Sequence, residues 1–120
     1  MRRLGLAALL AASMVSACAP QGTTTVAASA DEKAAYAQVK PLLERHCLMC
    51  HSERPPIALL RSPPAGVVLE TPEELRKFAP RIAAMTAITH VMPPANFTGM
   101  TETDREALNE VLRKEWLHDR

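Results

Sequence analysis

The sequence predicts an all-α domain of four to five helices, and three observations carry that prediction. Apolar residues recur at helical spacing near both ends, at Tyr36, Val39, Leu43 and Cys47 and again at Leu108, Val111, Leu112 and Trp116. Helix-start signatures stand at Thr71-Pro72-Glu73-Glu74 and at Thr101, with Asp104 three residues on. Ten prolines, several of them paired, cut the middle of the chain into short helices and loops.

Arg2 and Arg3 open the chain, and Leu4 to Val15 is an apolar run too short to remain as a membrane span. Residues 1–17 therefore read as a signal peptide. The end of that run, Val15-Ser16-Ala17-Cys18, resembles the lipobox of bacterial lipoproteins. The resemblance implies cleavage before Cys18, lipid on its thiol and amino group and, with Ala19 rather than an aspartate next, sorting to the outer membrane. The competing reading is an ordinary cleavage site with a free thiol beside it. Residues 18–30 read as the lipidated cysteine and a flexible tether that reaches on the order of 20 Å. Residues 31–120 then make one folded domain.

The first helix is expected to start at Asp31, as its cap, and to run to Cys47, with Pro41 either kinking it or restarting it. Ser52 to Gly66, with Pro55-Pro56 and Pro63-Pro64, is loop. Val67-Val68-Leu69 is loop core or a short extended piece. Thr71 caps a helix that turns Leu75 and Phe78 inward, and Pro80 is expected to open a second short helix through Ile82, Met85 and Ile88. Thr101 caps the last helix, which should cross the first. Tyr36, Phe78, Phe97 and Trp116 are the whole aromatic complement, so a core this small calls for a bound cofactor.

The chemistry is concentrated in Cys47-Leu48-Met49-Cys50-His51. Two thiols three positions apart, followed at once by a histidine, have the spacing of covalent haem attachment. Each thiol adds across one vinyl group of the porphyrin, and His51 becomes the proximal iron ligand. A thioredoxin-like redox pair would need a strand before its helix, and no βαβ pattern surrounds this one. A zinc site would need two more ligands, which His46, His90 and His118 are not spaced to supply. A ligating histidine donates its other ring N–H to a carbonyl, and Pro55 or Pro56 is the expected acceptor.

Met92-Pro93-Pro94 holds a methionine in a stiff extended loop, because the residue before a proline is pushed out of the helical region. Met92 is the expected sixth ligand, with His90, Met100 or an open position as competitors. Met85 reads as core, Arg81 as solvated or paired with a haem propionate, and Asn96 as bonded within its loop or to a propionate. Export and attachment agree, since c-type haem is joined outside the cytoplasmic membrane. Fourteen basic residues against thirteen acidic ones leave no basic stripe, which excludes nucleic acid as a partner and offers no charged docking patch.

Cys47 to His51 together with Met92-Pro93 resembles the class I cytochromes c. A closer resemblance is to the C-terminal cytochrome c domain of bacterial membrane-bound urate hydroxylases. It rests on Val39-Lys40-Pro41, Gly66 to Glu73, Ala79-Pro80-Arg81-Ile82, Met92-Pro93 and Thr98-Gly99-Met100-Thr101. That family's multispan membrane domain has no counterpart in this sequence, where a lipid anchor at Cys18 is expected in its place. The resemblance implies a cytochrome c-like domain of four to five helices around one haem. It also implies an electron carrier between redox protein partners, a membrane dehydrogenase or hydroxylase on one side and a terminal oxidase on the other. The expectation is therefore a monomeric, periplasmic-side carrier, not an enzyme, that shuttles single electrons. Its rival is a haem enzyme or gas sensor with an open sixth site and His90 as distal acid and base. A third reading is a structural haem subunit of a larger respiratory complex.

Overall fold

The structure is a computed structural model that describes residues 25–118. The expected signal peptide, Cys18 and the first part of the tether lie outside the described residues. Four α-helices and no strand occur among the described residues, as an all-α domain requires.

Helix α1 spans Ala30–His46 and is capped by Ser29, two residues before the expected Asp31. The Glu32 N–H donates to the Ser29 hydroxyl at 3.1 Å and the Ser29 N–H donates to the Glu32 carboxylate at 2.8 Å. Such a reciprocal pair needs a carboxylate or amide three residues after the cap; Ser29 has Glu32 there, whereas Asp31 has Ala34. Asp31 sits instead in the first turn, where a negative charge favours the helix start. Pro41 does not restart the helix, which runs through it. Pro41 and Ala37, whose carbonyl loses a donor there, both face water, so the freed group can be solvated. The inner stripe of α1 is Ala35, Tyr36, Val39, Leu43 and His46.

After a break at Cys47, α2 (Leu48–His51) adds one turn. Helix α3 (Pro72–Ala83) opens with the expected box between Thr71 and Glu74. It does not end at Pro80; the proline lies on its water-facing side and the helix continues to Ala83, so no second helix opens there. The chain then widens into a π-helical turn, Ala84–Ile88, in which the Thr89 N–H reaches the Ala84 carbonyl at 2.9 Å. One extra residue in a turn rotates all that follows. Thr86 is consequently buried, with its hydroxyl on the Ile82 carbonyl, while Ile88, expected inside, stands 77% exposed.

Helix α4 (Glu102–Trp116) carries the expected box between Thr101 and Asp104 and packs on α1 and α3. Val39, Leu43, Leu75, Leu108 and Leu112 meet at the centre, all but sealed from solvent. The incoming chain joins this body earlier than a free tether would. Ala28 is buried and its N–H donates to the Glu73 carboxylate at 2.7 Å, while the Arg76 guanidinium reaches the Val26 carbonyl. No helix among the described residues is long and apolar enough to cross a membrane.

Candidate functional site

A cleft of about 950 Å³, counting the part open to solvent, lies between the C-terminal end of α1, the second half of α3 and the loop before α4. The attachment motif forms one wall. The Cys47 N–H closes α1 on the Leu43 carbonyl at 2.8 Å, and the Cys47 carbonyl accepts from both Cys50 N–H, at 3.0 Å, and His51 N–H, at 2.9 Å. That single turn sets the two thiols three residues apart on a helix, hence on one side of it, and Cys47, Cys50 and His51 all line the cleft. Both thiols are free. Burial, reinforced by the neighbouring Cys50 thiol, pushes the Cys47 thiol up to about 12. A protonated, shielded thiol is the reverse of what a dithiol redox pair needs, since its attacking sulfur must be a thiolate.

His51 is oriented from the far side of the loop. Its Nδ1 lies 3.0 Å from the Val67 carbonyl, which can only accept, so Nδ1 carries a proton and Nε2 is the nitrogen left to ligate in the neutral ring. The acceptor is thus Val67, not Pro55 or Pro56. The Pro64–Gly66 turn, with Ala65 and Gly66 at positive φ, reverses the chain and brings Val67 back over the histidine. The Leu69 N–H donates to the His51 carbonyl at 2.9 Å, and the Tyr36 hydroxyl holds the Leu69 carbonyl at 3.1 Å. Val67 and Leu69 are at once buried core and cleft wall, without forming a strand.

Of the three side chains expected to compete as sixth ligand, Met92 alone lines the cleft. Its N–H donates to the Met85 carbonyl at 3.0 Å. His90 points elsewhere: its ring donates to the Ala87 carbonyl at 3.2 Å, lies 3.6 Å from Glu102 and is 45% exposed. Met100 is buried in the main core, away from the cleft. Asn96 bonds within its loop, donating to the Met100 carbonyl and accepting the Met100 N–H. Arg81 and Met85 both reach the cleft, Arg81 from an exposed position. Two matching turns flank it, Pro63-Pro64-Ala65-Gly66 and Pro93-Pro94-Ala95-Asn96, each with its last two residues at positive φ.

Two site residues were missed from sequence. His46, directly before the motif, is buried against the cleft with Nδ1 2.8 Å from the Thr98 hydroxyl and Nε2 3.7 Å from Asp104 without a hydrogen bond. Burial pulls its pKa down, with Arg45 and Arg105 acting the same way and Asp104 against them. Arg105 is buried on α4 beside the Met92 loop. A signal existed for both: His46 continues the Val39-Leu43 stripe and Arg105 stands three residues before Leu108, so each is a polar residue in an apolar row.

Comparison with protein-family models, with curated proteins and with solved structures finds no match for this chain. No group of three or more His, Cys, Asp or Glu side chains that could hold a bare metal ion occurs among the described residues.

Proposed function

We propose that the chain is a monohaem c-type cytochrome that carries single electrons between protein partners at a membrane surface. The observation that supports this most is that Cys47, Cys50, His51 and Met92 line one apolar cleft, with His51 Nδ1–H already held by the Val67 carbonyl. The donor set fits a haem better than a bare ion. Two thiols stand ready for two thioether bonds, and one imidazole nitrogen and one thioether sulfur suffice for an iron whose other four ligands come from the porphyrin. Haem c supplies a one-electron change between Fe(III) and Fe(II), at a potential that histidine and methionine together raise.

The chain's own part is positional. Cys47 and Cys50 fix the porphyrin, the Val67 carbonyl sets the tautomer of His51, and Val67, Leu69, Phe78 and Ile82 supply apolar walls. His90 lies outside the cleft, which weakens the rival open-site reading that needs it as distal acid and base. The anchoring part of the proposal rests on Cys18 and its lipobox-like setting. Redox proteins are the proposed partners, a membrane dehydrogenase or hydroxylase upstream and a terminal oxidase downstream.

The test is the absorption spectrum of protein matured with haem-attachment machinery, oxidised, reduced and reduced under carbon monoxide. A low-spin spectrum with a thioether-to-iron charge-transfer band, inert to carbon monoxide and lost in Met92→Ala, is expected. A carbon monoxide adduct of the wild type would refute the closed site and move the enzyme or sensor reading to first place.

A further inference from the structure

Arg105 projects from the first half of α4 and is 3% exposed. A guanidinium this deep must find acceptors for its rigid fork of donors, and a small domain offers many carbonyls. The acceptors it uses all come from one segment. Nη1 donates to the Thr86 carbonyl at 2.6 Å and to the Met92 carbonyl at 2.8 Å, and Nη2 donates to the Asn96 side-chain oxygen at 3.3 Å. Nε has no hydrogen bond, the Glu102 carboxylate lying 3.6 Å away. Asn96 is itself tied to both backbone groups of Met100, just before the α4 cap. One side chain therefore spans the segment that carries Met92, gripping it before, at and after that residue.

We propose that Arg105 is the positioning residue for Met92: it fixes the backbone from which the thioether enters the cleft. This rests on the reading of Met92 as an iron ligand. The physical need is plain. A thioether is a weak, neutral ligand on a flexible side chain, so its occupancy depends on how often its loop opens. Hydrogen bonds from a buried cation to the Thr86 and Met92 carbonyls oppose that opening more strongly than neutral ones would. Lysine could keep the charge but not the planar fork, and glutamine would keep neither.

The test uses the full-length haem-loaded protein with imidazole as a competing sixth ligand. Arg105→Gln should tighten imidazole binding by about tenfold or more, weaken the thioether charge-transfer band and lower the midpoint potential, with Arg105→Lys intermediate. Leu112→Ala, in the core away from the cleft, should lower the unfolding midpoint but leave imidazole affinity within about twofold of wild type. Wild-type behaviour of Arg105→Gln in all three readouts overturns the positioning role, as does an equal effect from Leu112→Ala. Should Arg105→Gln fail to retain haem, Arg105→Lys decides, and an unchanged affinity there overturns the role. A wild type that lacks the band and binds imidazole as tightly as Met92→Ala refutes the ligand reading and the positioning role together. A wild type that has the band, with unaltered Arg105 variants, refutes positioning alone.

Discussion

Replacing Glu32 with alanine should cost the domain about 2–3 kcal/mol while leaving the haem spectrum unchanged. Glu32 is 8% exposed at the end of α1 remote from the cleft, and three partners meet on its carboxylate. It accepts the Ser29 N–H at 2.8 Å, the Trp116 indole N–H at 2.9 Å and one Arg76 nitrogen at 3.0 Å from both oxygens. Removing it leaves the half-buried indole donor without a partner, a loss of roughly 1–3 kcal/mol. Arg76 is about a third exposed (32%), so water screens its share to under about 1 kcal/mol. Loss of the reciprocal cap adds roughly 0.5–1 kcal/mol, and because these bonds share one carboxylate their sum is an upper bound. In a domain of this size the expected fall in Tm is about 10–20 °C.

The assay is urea unfolding of the haem-loaded protein, followed by circular dichroism across pH. Burial alone would raise the Glu32 pKa, but the Ser29 N–H, the Trp116 indole and Arg76 outweigh it and hold the folded value below the ordinary 4.5. The carboxylate's contribution is therefore complete above 4.5 and is lost as pH falls from there through the lower folded value. The gap between wild type and Glu32→Gln should be constant near neutrality and close in acid. A Glu32→Ala variant within about 0.5 kcal/mol of wild type would refute the reasoning, as would a Gln gap that persists undiminished to about pH 3.

The remaining predictions concern the cleft. Cys47→Ala/Cys50→Ala, exported without covalent haem, should melt broadly and without cooperativity, because the cleft walls lose the body they pack on; a sharp native-like transition would count against a haem-dependent fold. His46, whose folded pKa is depressed, stays neutral while the unfolded chain takes up a proton below its ordinary 6.5. Wild-type stability should thus decline from pH 6.5 downward more steeply than that of His46→Gln, and parallel pH profiles would show that this imidazole does not resist protonation.

The parts of the fold written in local chemistry were legible. Two reciprocal caps, at Thr71 and Thr101, start α3 and α4 where their side chains dictate. The Cys47-to-His51 motif closes α1 because its bonds lie within five residues. Legibility ended where a residue's role depends on a distant partner. Proline at positions 41 and 80 reads locally as a break, yet both sit on water-facing sides where the carbonyl that loses its donor can be solvated, so the helices continue. The acceptor for His51 is found sixteen residues away because two positive-φ residues reverse the chain, a tertiary fact that proline counting cannot supply. The π-helical turn moved Ile88 out and Thr86 in, which no periodicity of 3.6 foresees. Ser29 was overlooked because the tether's composition concealed a cap that Glu32 completes.

The arrangement separates what holds the domain together from what the cleft does. Helix α1 has 17 residues, so its ends are about 25 Å apart. At its N-terminal end Glu32 gathers α3, α4 and its own Ser29 cap; at its C-terminal end His46 and Cys47 enter the cleft. The two ends are joined by the sealed Val39 and Leu43, which transmit position but carry no charge. Arg105 works near the cleft as Glu32 works at the far end: it too is a buried charge, and its hydrogen-bond acceptors come from another segment of chain. The difference lies in what each one grips. Glu32 binds whole helices to one another, so its loss should appear as lower global stability. Arg105 binds one loop, so its loss should appear first in the behaviour of Met92, while the rest of the domain still stands.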